Sequence, residues 1–422
     1  DWSSLVQLYK VTGKPILIGV DQVRRFQPPV LYPGAFCVKD GFIWFLQLNS
    51  NALIKVNVNS FEVEDIVCIP YEKPYKRRQS NYFIADIENS IVMLLGGSTN
   101  IYEYEMSTGI VKTHNKIMDK KTIQVQPLEL GNLYLLRHYG KENFIESDTG
   151  YSISDQGQFK CGDGNVNGCF DIVDNCFYII KEYSNIICKY DFHENMCLEL
   201  KVGEEGDKYW GIKKANDYFV MPHINQKAIT LWNEKSGETI KLNKFPDTYK
   251  CLDHSVRETY LNMFAEEGNV YLFPSYANMI LKINVNDKTI AKAFDVEFFD
   301  AVFELDAENF SSCMYSCAKR LGNYIYAYAM YQTCWHIFDL SHMAIWKSPV
   351  CRIEKEEHRK ILEKIIDENS CDISDYFGEC PLTTNLENYI KNVDRYCGNI
   401  QRKPFNNVCV GENIYRAVMS EV

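Results

Sequence analysis

Apolar and polar residues follow one another along this chain in short runs, and the runs come in groups. The clearest group spans 268–292, GNVYLFPSYANMILKINVNDKTIAK. Residues 270–273 form a β-rich run and 276–278 a turn. Residues 279–285 alternate apolar with polar, and 289–294 form a third run after Asn286, Asp287 and Lys288. A period of two sends alternate side chains to opposite faces of an extended strand, so the group predicts an antiparallel meander. Six more groups share the design, with first strands beginning near 42, 91, 133, 177, 219 and 325. A period mostly in the forties, with several short strands per unit, predicts a β-propeller, because a small sheet alone buries too little and a ring of sheets covers both faces of each.

The fold expected is therefore all-β, a propeller of seven four-stranded blades over 33–350. The group at 133–146 is the weakest, which leaves six blades as the alternative. An inner strand should precede each hairpin, as at 34–38, 82–85, 262–264 and 314–318. A small residue followed by Asn recurs at one turn, in Ser50-Asn51, Thr99-Asn100, Ser184-Asn185 and Ala277-Asn278. Asn tolerates positive φ, so these positions read as hairpin chemistry.

Both ends depart from the pattern. Residues 1–32 read as a linker from a preceding domain or as a strand that closes the ring. Residues 353–366 form a charged amphipathic helix. Leu386, Tyr389, Ile390 and Val393 make a helical stripe behind the capping box of Thr384 and Glu387, and 413–419 suggests a third helix. A helical extension over 351–422, packed on the propeller, is expected.

Composition narrows the possibilities. The formal net charge of −11 argues against broad nucleic-acid binding, which needs a basic surface. No apolar run is long enough for a transmembrane helix. The sixteen cysteines read as free thiols, because Cys37, Cys68, Cys176 and Cys188 sit inside apolar strand-like runs where Cys behaves as a small hydrophobe. That points to a reducing, cytoplasmic setting. Cys313, Cys317, Cys334 and His336 have spacings that would share a strand face, yet they match no zinc-finger pattern, so neither metal nor cofactor is expected.

Candidate chemistry falls on the loops that join second to third strands and on those that join one blade to the next, since these two sets meet on one face. The stretch 71–80, YEKPYKRRQS, offers Arg77 and Arg78 as forks for a carboxylate or phosphate. His138, Tyr139, His223 and Tyr276 occupy second-to-third-strand turns, and Trp210 ends the connection GEEGDKYW. The longest polar insertion, 246–260, carries Asp253, His254, Arg257 and Glu258, where an Asp beside a His could orient an imidazole for proton transfer.

Runs such as DGFIWFLQLNSNALIKVNV and EEGNVYLFPSYANMILKINV resemble the repeats of bacterial β-propellers in the broad kelch-like, six- to seven-bladed class. The Trp-Asp dipeptide of WD repeats is absent, as is the double glycine ahead of each blade that marks kelch repeats. The resemblance implies a fold style and carries over no functional residues. With no complete catalytic motif in view, the expected function is a non-enzymatic module that recognises a protein, peptide or small polar ligand on its loop-rich channel face. The alternative is a lyase or hydrolase acting on a carbohydrate-like substrate through His138, His223, His254 and Arg257.

Overall fold

The computed structural model describes residues 33–47, 50–70, 83–87, 89–95, 100–114, 124–127, 133–138, 141–146, 152–159, 166–181, 184–224, 226–251, 259–296, 315–329, 334–349 and 353–369, with the backbone alone in blade 3. The strands form seven four-stranded antiparallel sheets, each built from four consecutive strands. Blade 1 comprises Pro33–Lys39, Phe42–Gln47, Ala52–Asn57 and Val63–Cys68. Blade 2 comprises Phe83–Ile87, Ser90–Leu94, Ile101–Glu105 and Ile110–His114. Blade 3 comprises Gln124–Pro127, Leu133–His138, Lys141–Glu146 and Ser152–Phe159. Blade 4 comprises Val166–Val173, Cys176–Lys181, Ile186–Asp191 and Met196–Lys201. Blade 5 comprises Lys213–Ala215, Tyr218–Pro222, Ile229–Trp232 and Thr239–Leu242. Blade 6 comprises Tyr260–Glu266, Asn269–Pro274, Leu281–Asn284 and Thr289–Lys292. Blade 7 comprises Tyr315–Leu321, Tyr324–Ala329, Cys334–Asp339 and Ala344–Lys347. The seven-bladed propeller is what the repeats imply, and blade 3 has all four of its strands.

Burial explains why the repeats look as they do. The second strand of blade 1 is covered by blades 7 and 2, so it reads as a continuous apolar run, FIWFL. The outer strands Thr239–Leu242 and Thr289–Lys292 alternate exposed with half-buried residues, because one edge faces solvent. The inner strand of blade 1 lies beside those of blades 2 and 7. Blade 7 takes all four of its strands from its own consecutive residues, so blades 7 and 1 meet through side chains. Phe36, Phe45, Tyr328 and Trp335 form that seam, with Trp335 edge-on to Phe36 at 4.6 Å and to Tyr328 at 5.1 Å.

The turns follow a stricter code than the one read from the sequence. First-to-second-strand hairpins carry two consecutive left-handed residues, Asp40-Gly41, Asp174-Asn175 and Glu267-Gly268, the backbone of a tight hairpin that matches strand twist. At the third-to-fourth-strand turns an Asn or Asp side-chain oxygen accepts two backbone N–H groups. Asn57, Asp191, Asn233, Asn284 and Asp339 do this, at 2.8–3.2 Å. Four residues further on the backbone turns left-handed, at Phe61, Asn195, Gly237, Lys288 and Met343. Asn51, Asn100, Asn185 and Asn278 are not left-handed, so the φ argument for them is corrected. They are buried, and the Asn185 amide donates to Glu204 O at 2.9 Å and that of Asn51 to Ile69 O. Their side chains hold the strand exits to the turns.

A helix, Glu356–Asn369, follows blade 7 and places Leu362 and Ile365 in the seam between blades 7 and 1. No described helix is long and apolar enough to cross a membrane. The chain divides into two compact units, Asp1–Tyr376 and Phe377–Val422. The second unit and residues 1–32 lie outside the described residues, as do the expected later helices. Cys37 and Cys176 are free thiols, as expected. Cys188 is disulfide-bonded, which corrects its reading as a free thiol: an apolar strand position does not reveal whether a second sulfur reaches it.

Candidate functional site on the loop face of blades 4 to 6

After the outer strand of blade 4 the chain returns across the sheet edges through residues 202–212. Val202 N–H donates to Asn185 O at 2.9 Å and Tyr209 N–H to Ser184 O at 3.1 Å, both in the second-to-third-strand turn of blade 4. Trp210 N–H then donates to Pro222 O at 3.0 Å, and Ile224 N–H to Lys208 O at 2.9 Å. The connection is thus clamped between the turns of blades 4 and 5, and the two loop sets meet on one face.

The clamp brings Tyr209 opposite His223. Their rings meet edge to face at 4.8 Å. His223 is buried, with Nε2 2.8 Å from Thr230 Oγ1 and Nδ1 2.9 Å from Gln226 Nε2. The same Gln226 nitrogen lies 2.8 Å from Asp207 Oδ1. With the Gln226 amide turned so that its nitrogen faces the ring, that nitrogen donates, His223 Nδ1 accepts, and the ring proton sits on Nε2 and is given to Thr230. Tyr209 O–H in turn donates to Val202 O at 3.1 Å. Burial holds the Tyr209 phenol in its protonated form. Burial alone would raise the Asp207 carboxyl, but the Glu204 amide at 2.9 Å and the Lys241 ammonium at 3.0 Å outweigh it and hold it below the usual range.

Thr230, His223 and Asp207 are the residue types of a nucleophile–base–acid triad, but the polarity is reversed. A base that activates a hydroxyl must accept its proton at Nε2, and here Nε2 donates. Gln226 stands between His223 and Asp207, whose closest N–O separation is 3.7 Å. Each of the three residues is buried. The chemistry this favours is the locking of two loops, with each hydrogen bond setting the direction of the next.

The connection between blades 5 and 6 is held in a similar way. Asn278 accepts from Lys250 N–H at 2.8 Å and donates to Thr248 O at 2.8 Å, while Cys251 pairs with Ala277. Tyr249 and Tyr260 share a buried hydroxyl pair at 2.7 Å, and burial pushes both phenols up. Phe245 stacks on Tyr249 at 4.7 Å, and Lys227 Nζ lies 5.3 and 4.9 Å from the two ring centroids.

Three of the nine sequence candidates have described side chains. His223 belongs to the buried chain above. Trp210 lies one residue from its partner Tyr209 but is buried in the apolar cluster of blades 5 and 6. Tyr276 is half-buried against the cluster of blades 6 and 7. Backbone pairing therefore brings Trp210 and His223 together, with Tyr276 on the next blade. His138 ends the second strand of blade 3, and its side chain lies outside the described residues, as do Arg77, Arg78, Tyr139, His254 and Arg257. Asp207, Gln226, Thr230 and Lys241 escape sequence reasoning because they come from four separate stretches.

Of the spaced set in blade 7, Cys313 lies outside the described residues, and Cys317 does not share a face with His336. A bulge between Tyr315 and Ala318 turns Cys317 towards the blade 1 seam, whereas Tyr315 packs with blade 6. His336 Nδ1 lies 3.0 Å from the Tyr315 hydroxyl, and burial, aided by Lys347, lowers its pKa to about 4. Among the described residues no group of three or more His, Cys, Asp or Glu could hold a metal ion.

No family model and no curated protein matches this chain. Among solved structures it is similar to virginiamycin B lyase from Staphylococcus aureus, at 14% identity over 72% of this chain and 92% of that one, with a TM-score of 0.49. A streptogramin B lyase aligns at 15% identity over 63% and 83% of the two chains, with a TM-score of 0.46. BamB from Moraxella catarrhalis aligns at 11% identity over 70% and 79%, with a TM-score of 0.44. At these scores the likenesses carry no argument about activity. They are bacterial β-propeller proteins, and it is with such propellers, in no specific family, that the repeated four-stranded sheets group this chain.

Proposed function

We propose that the protein is a non-enzymatic binding module that recognises a protein or peptide segment on its loop-rich face. The observation that carries this reading is the hydrogen-bond chain from Gln226 through His223 to Thr230, from Thr230 to the Tyr209 hydroxyl, and from Tyr209 to Val202, which uses His223 as a donor within the scaffold. A clamped rim presents exposed side chains at fixed positions, which lowers the entropy a partner must overcome on binding. Nothing in the geometry of His223 favours the lyase or hydrolase alternative.

Site-specific photocrosslinking tests the reading. Benzoylphenylalanine placed at Thr248, exposed on the loop face, should capture a partner in cells. The same group at Asp287, exposed in a third-to-fourth-strand turn on the opposite face, should not. Capture from Asp287 alone, or turnover of oligosaccharides by the purified chain, would overturn it. The disulfide at Cys188 does not fit the reducing, cytoplasmic setting expected from the sequence, so the reading includes no compartment.

A further inference from the structure

We infer that the partner segment is acidic and that it docks along the seam of blades 5 and 6, an assignment that rests on the binding-module reading above. Lys208, Lys227, Lys244 and Lys250 are exposed on the clamped connections and turns of this layer. Backbone bonds fix where they stand. Lys208 O accepts from Ile224 N–H in the blade 5 turn, three residues before Lys227. Lys250 is tied to Asn278 in the blade 6 turn at 2.8 Å. Lys244 precedes Phe245, whose stack with Tyr249 carries the Lys227 ammonium on its face.

The charge balance of this strip differs from that of the whole chain, which is −11. Lys241 is neutralised by Asp207 at 3.0 Å and Glu204 at 3.5 Å. The other four ammonium groups form no ion pair among the described residues. The exposed carboxylates of the layer are Glu204, Glu205 and Asp247; with the buried Asp207 they make four against five lysines, which leaves the strip at a net +1 among the described residues. Lysines in water gain little from isolated pairing, but several at fixed positions steer an oppositely charged chain and set its register. The stacked rings restrain Lys227 from one side only, leaving its remaining N–H groups for incoming carboxylates. A flexible Glu- or Asp-rich segment, extended across the seam, matches this row.

Fluorescence anisotropy with the full chain tests the assignment. The probes are a labelled, unstructured Glu/Ser peptide and its Gln/Ser counterpart. The wild type should bind the Glu/Ser peptide and not the other, and added salt should weaken the complex. Lys227→Glu with Lys250→Glu should weaken it about ten-fold or more, and Lys227→Gln with Lys250→Gln about three-fold. Lys235→Glu, on the opposite face of blade 5, should leave it unchanged. Thermal melts check that each variant is folded. Absence of Glu/Ser binding, equal binding of the Gln/Ser peptide, or an equal loss in Lys235→Glu would overturn the assignment. So would tighter binding of duplex DNA or phosphatidylserine vesicles. If Thr248 still captures a partner while the peptide fails, the binding-module reading stands and the acidic partner is wrong.

Discussion

The seam between blades 7 and 1 and the seam between blades 4 and 5 solve the same packing problem with different chemistry. The first is apolar: Phe36, Phe45, Tyr328 and Trp335, sealed by Leu362 and Ile365 of the helix. The second also has a buried apolar cluster, with Tyr178, Ile180, Ile187, Phe219, Met221 and Trp232, and adds ionic bridges across it. Lys213 pairs with the buried Asp171 at 2.6 Å, Tyr178 donates to Glu234 at 2.8 Å, and Lys189 pairs with Glu234 at 2.6 Å. Blades 4 and 5 are neighbours in the chain and need mainly to be oriented. Blades 7 and 1 are far apart in sequence, so their meeting must offset a larger loss of chain entropy and relies on apolar area. Burial raises the Asp171 carboxyl pKa despite Lys213, so that pair is better suited to fixing position than to adding strength.

The comparison can be broken by substitution. Trp335→Ala should cost about 4 kcal/mol in urea unfolding, the scale of emptying a buried aromatic site; a loss below about 1 kcal/mol would show that the closing seam does not hold the ring. The seam between blades 6 and 7 is mixed, and His336 gives it a pH signature. Its folded pKa of about 4 lies below the ordinary value of 6.5, so the unfolded chain binds the proton more readily. The stability from keeping the ring neutral is therefore complete above pH 6.5 and is lost as pH falls towards 4, by about 3 kcal/mol at about 1.4 kcal/mol per pH unit. His336→Gln should flatten that slope in melts between pH 4 and 7, and an unchanged slope would assign it to other groups. The smallest effect is expected at the ionic bridges between blades 4 and 5. Asp171→Ala should cost about 2 kcal/mol by leaving Lys213 and backbone donors uncompensated, and adding Lys213→Met should recover most of it. A loss in Asp171→Ala as large as that of Trp335→Ala would erase the distinction between the seams.

Much of the architecture was legible because strand burial is written in local order. The run FIWFL is buried from both sides, and the outer strand TIKL alternates exposed with half-buried residues. The turn code was only half read. Asp40-Gly41, itself left-handed, and the Asn or Asp at 57, 191, 233, 284 and 339, each followed four residues later by a left-handed position, form a stronger signature than the small-residue–Asn pairs. The site was less legible because it is not local. His223 draws its character from Gln226, Thr230 and Asp207, and its tautomer depends on how a glutamine amide is turned. Likewise, a single bulge at Tyr315 sends Cys317 to the far face of blade 7, which no spacing argument foresees.

The way the ring closes also bears on how the protein is made. Phe36 and its partner Trp335 are separated by about three hundred residues of chain, and Leu362 and Ile365 follow later still. At roughly 5–20 residues per second on the ribosome, one face of blade 1 waits on the order of 15–60 s for its cover. Each blade is complete in its own consecutive residues, so earlier blades can stack as they emerge while that face stays open. The nascent chain is thus a growing arc with one persistent sticky end, and the interval before closure is when a ribosome-bound chaperone would matter most.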